Sequence, residues 1–354
     1  MWVRGRNAQA GAEAGAEVRV RGRADARAIS ALAVLAAGTL VLTACSGAGS
    51  GNAGGADTAA PASATPAFAI DQDFPDPDVL RVGDTYYAYA TNNPAANLQY
   101  ATSTDLETWQ PAGEDAFPDL PAWADEGRTW APDVTELADG RFALYFTAQD
   151  AESGQQCIGA ATADAPTGPF VGTSDTPLIC PLDEGGAIDA SSFTDADGTR
   201  YLVWKNDGNC CGLDTWLQLS PLGADGVTLA GEPTRLLQQT EAWEGSLIEA
   251  PVIVKHDDAY VLFYSANDYG GEAYATGYAT ATALAGPYTK ADGPLLTTEI
   301  TGDAYVGPGG QDVVAGPDGE DRIFFHSWDP AIVYRGMNVL PLSWNGSTPV
   351  VDLP

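Results

Sequence analysis

The sequence predicts an all-β fold built as a five-bladed β-propeller, and three observations carry that reading. One segment plan recurs five times along the chain. Its interval suits four short strands with their turns. The apolar runs are short, β-branched or aromatic, and bounded by Gly, Pro and Asp about every 8 to 12 residues, which excludes amphipathic helices.

The plan is an acidic or polar anchor, a β-rich run, a Gly/Asp turn, then an aromatic and β-branched strand. In the first repeat these are Pro75-Asp76-Pro77-Asp78-Val79, the turn Val82-Gly83-Asp84 and Tyr86 to Tyr89. In the second they are Ala131-Pro132-Asp133-Val134, Ala138-Asp139-Gly140 and Phe142 to Phe146. The third has Ile188-Asp189-Ala190-Ser191, Asp195 to Gly198 and Tyr201 to Trp204, and the fourth Ile248-Glu249-Ala250-Pro251, Asp257-Asp258 and Tyr260 to Tyr264. The fifth has Pro308 to Asp312, Asp318-Gly319 and Ile323 to His326. Anchors at 76, 133, 189, 249 and about 311 lie 57, 56, 60 and about 62 residues apart. A sandwich or an up-and-down barrel also has many short strands, but neither predicts such a period.

The N-terminus reads as a targeting segment. Arg19, Arg21, Arg23 and Arg27 lead into the apolar run Ala28 to Leu42, which is short and Ala-rich for a span that needs roughly 20 apolar residues. Leu42-Thr43-Ala44-Cys45 resembles a bacterial lipobox, so residues 1–44 are expected to be a lipoprotein signal peptide and Cys45 a lipid anchor. Residues 45–67, rich in Gly, Ala, Ser, Thr and Pro, read as a flexible tether. The propeller is then 68–354. The expected setting is outside the cell, on the membrane through Cys45 alone or secreted, and as a monomer.

Six Arg and three acids precede Cys45, leaving 10 Lys+Arg against 45 Asp+Glu. Such a surface repels phosphate backbones, so nucleic acid is not an expected partner, whereas a neutral polysaccharide meets no such barrier. Four cysteines remain, Cys157, Cys180, Cys210 and Cys211, an even number in an exported chain. Three pairings are open. Cys157 with Cys180 is favoured because the two flank a strand-turn-strand segment, which leaves Cys210 with Cys211. Two histidines and no paired CxxC spacing speak against zinc.

In a propeller the innermost strand of each blade lines the central channel, so the anchors Asp76, Asp133, Asp189 and Glu249 converge on one axis. Carboxyls crowded together raise one another's pKa, which allows one to stay protonated while another is ionised. Glycoside hydrolysis uses that division of labour. Phe74, Trp130 and Trp243 lie beside anchors and are candidate sugar-stacking surfaces.

These motifs, in order and at blade spacing from about Asp71 onward, resemble glycoside hydrolase family 43, the arabinanase, arabinofuranosidase and xylosidase group. Phe74-Pro75-Asp76-Pro77-Asp78, followed by Arg81-Val82-Gly83-Asp84-Thr85-Tyr86-Tyr87, is similar to the family's first-blade motif, which implies that Asp76 is the general base. Ala187-Ile188-Asp189-Ala190-Ser191 is similar to the third-blade motif, whose Asp orients the acid and raises its pKa. Glu249 matches the general acid. Trp130-Ala131-Pro132-Asp133 matches the second blade, where the residue after Pro varies, so no catalytic role passes to Asp133. Gly307-Pro308-Gly309-Gly310-Gln311 and Phe325-His326-Ser327-Trp328 match the fifth, with Gln311, a candidate substrate contact, standing where many members have His.

The resemblance implies inverting hydrolysis of arabinan, arabinoxylan or their oligosaccharides. It requires no cofactor and implies an axial cavity where His326 would hold a structural calcium through water. Two readings stand beside this one: β-xylosidase or xylan-directed action on the same fold, and a non-catalytic sugar-binding propeller lipoprotein. The intact Asp76 and Glu249 argue against the second.

Overall fold

A computed structural model describes residues 67–353. The expected signal over 1–44, Cys45 and the tether up to residue 66 lie outside the described residues. Twenty strands form five four-stranded antiparallel sheets, and no α-helix occurs among the described residues. Blade one comprises β1 (Asp78–Val82), β2 (Thr85–Ala90), β3 (Gln99–Ser103) and β4 (Gln110–Pro111). Blade two has β5 (Trp130–Glu136), β6 (Phe142–Gln149), β7 (Gln156–Ala163) and β8 (Val171–Gly172). Blade three has β9 (Ala187–Thr194), β10 (Arg200–Asn206), β11 (Trp216–Pro221) and β12 (Thr234–Gln238). Blade four has β13 (Ile248–His256), β14 (Ala259–Ala266), β15 (Ala275–Ala281) and β16 (Thr289–Lys290), and blade five β17 (Val306–Ala315), β18 (Asp321–Trp328), β19 (Arg335–Asn345) and β20 (Thr348–Val351).

The turns follow from the sequence locally. Val82 pairs with Thr85 across Gly83-Asp84, and Gly83 takes φ +62°, which a two-residue hairpin requires at its first turn position and which glycine adopts without strain.

Period-two alternation on the second strand of each blade feeds the packing between blades. On β6, Leu144 and Phe146 face blade one, with Tyr89 and Leu98, while Ala143 and Tyr145 face blade three, with Leu202 and Trp204. On β14, Leu262 and Tyr264 pack on blade three, and Val261 and Phe263 on blade five. The core is thus five separate clusters, one at each blade interface. Each buried large side chain there contributes about 1.5–3 kcal/mol from removal of apolar surface from water.

The ring closes between blades five and one. The N–H groups of Ala69 and Ile70 donate to Met337 O at 2.9 and 3.2 Å, and Phe74 N–H to Arg335 O at 2.9 Å, so the entering chain lies along β19. Phe74 is fully buried there with Ile70, Val79 and Met337. Both expected disulfides are present, Cys157–Cys180 and Cys210–Cys211.

Candidate active site

Five backbone positions around the axis are structurally equivalent: Asp76, Ala131, Asp189, Ala250 and Gly310, with φ of 54°, 40°, 58°, 49° and 58°. The register therefore differs from the one read from the acids. Asp133 is the counterpart of Asp78, and Glu249 stands one residue before its blade's turn. A Pro-Asp pair recurs in both motifs, so pattern alone could not separate them.

At each turn the N–H points across to the preceding blade. Ala131 donates to Thr91 Oγ1 (2.9 Å), Asp189 to Thr147 Oγ1 (3.2 Å), Gly310 to Ser265 Oγ (2.9 Å) and Asp76 to His326 Nδ1 (3.1 Å). The acceptors Thr91, Thr147, Ser265 and His326 occupy one equivalent position at the end of the second strand, opposite residues 75, 130, 249 and 309. In blade three that position is Lys205, opposite Ile188. An ammonium has no lone pair to offer, so the Ala250 N–H turns instead to Asp189 Oδ2 at 3.0 Å. The departure from the repeated pattern thereby sets a cation and a carboxylate beside Glu249.

The five turns surround one cavity of about 440 Å³, to which Asp76, Asp189, Glu249, Trp130 and Gln311 all contribute. Asp76 Oδ2 accepts from the Thr91 hydroxyl (2.6 Å) and Oδ1 lies 3.6 Å from Arg335 Nη1. Burial alone would raise this carboxyl. The Arg335 charge and the hydrogen bonds outweigh it and hold Asp76 well below the usual carboxylate range. Glu249 receives the Tyr274 hydroxyl at Oε1 (2.8 Å) and Lys205 Nζ at Oε2 (3.1 Å). Asp189 is pushed up to about 8, first by burial and then by the Glu249 charge, with Lys205 opposing. Asp189 was expected to raise Glu249; the elevation that the structure gives is on Asp189 itself.

Below them a second set of axial acids joins the blades. Asp78 Oδ2 accepts from Val134 N–H (2.9 Å), Asp133 Oδ2 from Ser192 N–H (3.0 Å) and Asp312 Oδ2 from Val79 N–H (2.8 Å). Burial raises all three, Asp133 to about 6 and Asp312 to about 7, and Asp78 is raised further by the charges of Asp133 and Asp312.

Two expected sugar contacts are not in the cavity. Phe74 has no exposed surface and serves ring closure. Trp243 stacks on Tyr264 at 5.9 Å within blade four, where Gly277 leaves room for its ring. Gln311 lines the cavity but is committed on both sides, accepting from Ser265 (2.8 Å) and donating to Ala250 O (2.6 Å). Sequence reasoning missed Lys205, Arg335 and Tyr274. Lys205 had a signal, a lone cation ending the strand Tyr201-Leu202-Val203-Trp204; Arg335 and Tyr274 stand in loops or at strand ends without one.

His326 lies behind Asp76, fully buried and stacked on Tyr274 at 5.6 Å. Burial and then Arg335 lower its pKa, so the ring is neutral. Nδ1 faces Asp76 twice, 3.1 Å from its backbone N and 3.2 Å from Oδ1, while Nε2 is buried without a partner. Among the described residues no group of three or more His, Cys, Asp or Glu is placed to bind a metal ion directly, which is a different arrangement from the water-mediated calcium expected at His326.

The profile of glycosyl hydrolases family 43 matches residues 69–347. The chain is similar to the extracellular endo-α-(1→5)-L-arabinanase 2 of Bacillus subtilis (strain 168), 28% identical over 263 residues that make up 65% of this chain and 53% of that protein. It is also similar to the extracellular endo-α-(1→5)-L-arabinanase of Thermotoga petrophila, 27% identical over 319 residues, 72% of this chain and 64% of that one. The chain thus spans between about half and two thirds of the length of these curated relatives. The crystal structure of a thermostable family-43 glycoside hydrolase superposes with a TM-score of 0.71 at 29% identity, covering 80% of this chain and 94% of that one. A profile match that runs through all five blades, over an axial cavity bearing the motif carboxylates, establishes that the chain belongs to glycosyl hydrolases family 43.

Proposed function

We propose that the axial cavity hydrolyses glycosidic bonds of arabinan or its oligosaccharides with inversion at the anomeric carbon. The observation that carries this reading is the unequal treatment of carboxyls in one cavity. Asp76 is held ionised by Arg335 and Thr91, whereas Asp189, beside Glu249, is pushed up to about 8. Inverting hydrolysis needs such a division, one carboxylate to activate water and one carboxylic acid to protonate the leaving oxygen.

Asp76 takes the water's proton as the water attacks. Glu249 gives its proton to the departing oxygen, with Tyr274 and Lys205 fixing its two oxygens. Asp189, pushed up to about 8, accepts the Ala250 N–H and so locks the turn that carries Glu249. Trp130 offers a half-buried aromatic surface at the cavity wall. The arabinan preference and the export of the chain draw on the two relatives' names, and the lipid anchor draws on the motif at Cys45. Incubation with debranched arabinan, arabinoxylan and xylan, with the anomer released followed by NMR, tests the reading. Release of the β-anomer from an α-linked arabinan supports it. Retention, or release from xylan alone, overturns it.

A further inference from the structure

The loop after β10 is unusually well fastened. Asn206 Nδ2 donates to Glu184 O (3.0 Å) and Asp214 O (3.1 Å), spanning the base of residues 207–214, and its Oδ1 accepts from Trp216 N–H (2.6 Å). Asp207 N–H donates to Gly186 O (2.9 Å), Cys210 N–H to Asp207 O (3.1 Å) and Leu213 N–H to Gly208 O (2.9 Å). A Cβ at Gly208 would stand 2.3 Å from Asp214 O, so only glycine permits the turn. At the crest lies the bridge between adjacent Cys210 and Cys211, both exposed, with Asn209 and Cys210 in the cavity wall.

The position of this wall follows from Lys205. Its Nζ contacts Glu249 Oε2 at 3.1 Å and Asp207 Oδ1 at 3.3 Å, so the loop springs from the side of the cavity that carries Glu249. Asp76, with Arg335 and His326, belongs to blades one and five. A group that donates a proton to the departing oxygen must have the departing sugar beside it. The bridge closes an eight-membered ring with two polarizable sulfurs and no charge, and Cys210 lines the cavity. A surface of that kind suits the C–H face of a sugar ring, and its rigidity keeps the ordering cost of binding low.

We propose that the Cys210–Cys211 bridge forms the wall of the leaving-group sugar subsite and so sets specificity on that side of the scissile bond. The proposal rests on the assignment of Glu249 as the acid. The Cys210→Ser/Cys211→Ser double variant tests it on two substrates, an arabino-oligosaccharide and arabinofuranosyl fluoride, a single sugar whose leaving group is one atom and leaves the subsite empty. kcat/KM for the oligosaccharide is expected to fall about tenfold, mainly through KM, while the fluoride changes less than about twofold. Equal loss on both substrates, or no loss on either, overturns the proposal. A wild type inactive on both overturns the hydrolase reading itself, which is a separable result. Should the double variant not fold, brief phosphine reduction of the wild type gives the same comparison, because Cys210 and Cys211 are exposed and Cys157 is wholly buried. Alkylation mapping identifies the opened bridge, and the same split between substrates is expected, with equal loss again counting against the subsite.

Discussion

Lys205 Nζ, wholly buried, stands 3.1 Å from Oε2 of Glu249, whose side chain opens on the cavity, because Lys205 fills the position where other blades place Thr91, Thr147, Ser265 or His326. Four blades use that position to hold the next blade's backbone. Blade three uses it to hold a carboxyl. Burial works against the Lys205 charge, but Glu249, Asp189 and Asp207 together raise its pKa, so it is a permanent cation in the site.

Removing that cation should raise the proton affinity of the Asp189/Glu249 pair. Lys205→Met is therefore expected to shift the alkaline limb of the kcat/KM profile to higher pH, besides costing about 3–5 kcal/mol in stability through an unpaired buried charge. A pH–rate series on protein shown by circular dichroism to be folded checks this. An unmoved alkaline limb would mean that Lys205 is purely structural.

Glu249→Gln and Asp76→Asn should both abolish hydrolysis of the natural polysaccharide, for different reasons. The first removes a proton donor, so an activated aryl pentoside, whose leaving group needs no proton, should recover much of its rate. The second removes the base, and only a small external nucleophile such as azide should help. The assignment of the acid fails if Glu249→Gln keeps wild-type activity on arabinan.

The axial acids Asp133 and Asp312 have folded pKa values of about 6 and about 7, above the 3.8 of an unperturbed Asp. The folded state holds their protons more tightly, so the stability they contribute is complete below about pH 4 and is lost as pH rises through 6 to 7. Asp312→Asn removes the charge and keeps an acceptor for the Val79 N–H, giving up only the adjacent Val313 N–H that Oδ1 accepts. It should raise the melting temperature by a few degrees at pH 8 and change it little at pH 4, a contrast that calorimetry at the two values can measure. A loss of stability at pH 8 would show that the ionised latch is favourable.

Trp130 and Trp243 should separate cleanly. Trp130→Ala should weaken substrate binding by about tenfold or less with little change in stability, since its ring lines the cavity. Trp243→Ala should instead cost about 3 kcal/mol and leave KM nearly unchanged, because it removes the packing on Tyr264. Thermal melts and Michaelis–Menten kinetics on both variants decide between surface and core.

The architecture was legible because a repeat near 57 residues has few all-β solutions, and the hairpin turns carry their own chemistry, as at Gly83. Placement of the acids was legible only to within a residue or two. Asp76 and Asp133 sit in similar Pro-Asp strings, yet one occupies the turn and the other the latch two positions later. Phe74 and Trp243 were misplaced because adjacency in sequence does not say which way a side chain points, and beside an inner strand half the directions lead into a blade interface. Arg335 was invisible for another reason. It meets Asp76 only when the last blade folds against the first, and no local pattern encodes that meeting.

Closure along β19 has a biosynthetic consequence. Asp76 is among the first propeller residues to leave the ribosome, but His326 and Arg335, which seat it, are among the last, 250 and 259 positions later. A chain still growing, or one clipped within its final blade, carries Asp189 and Glu249 but lacks the contacts that seat Asp76. Closing so long a loop is also slow. On the proposed roles, competence arrives in one step, with the fifth blade, so that sugar release would report that the whole circle has been completed.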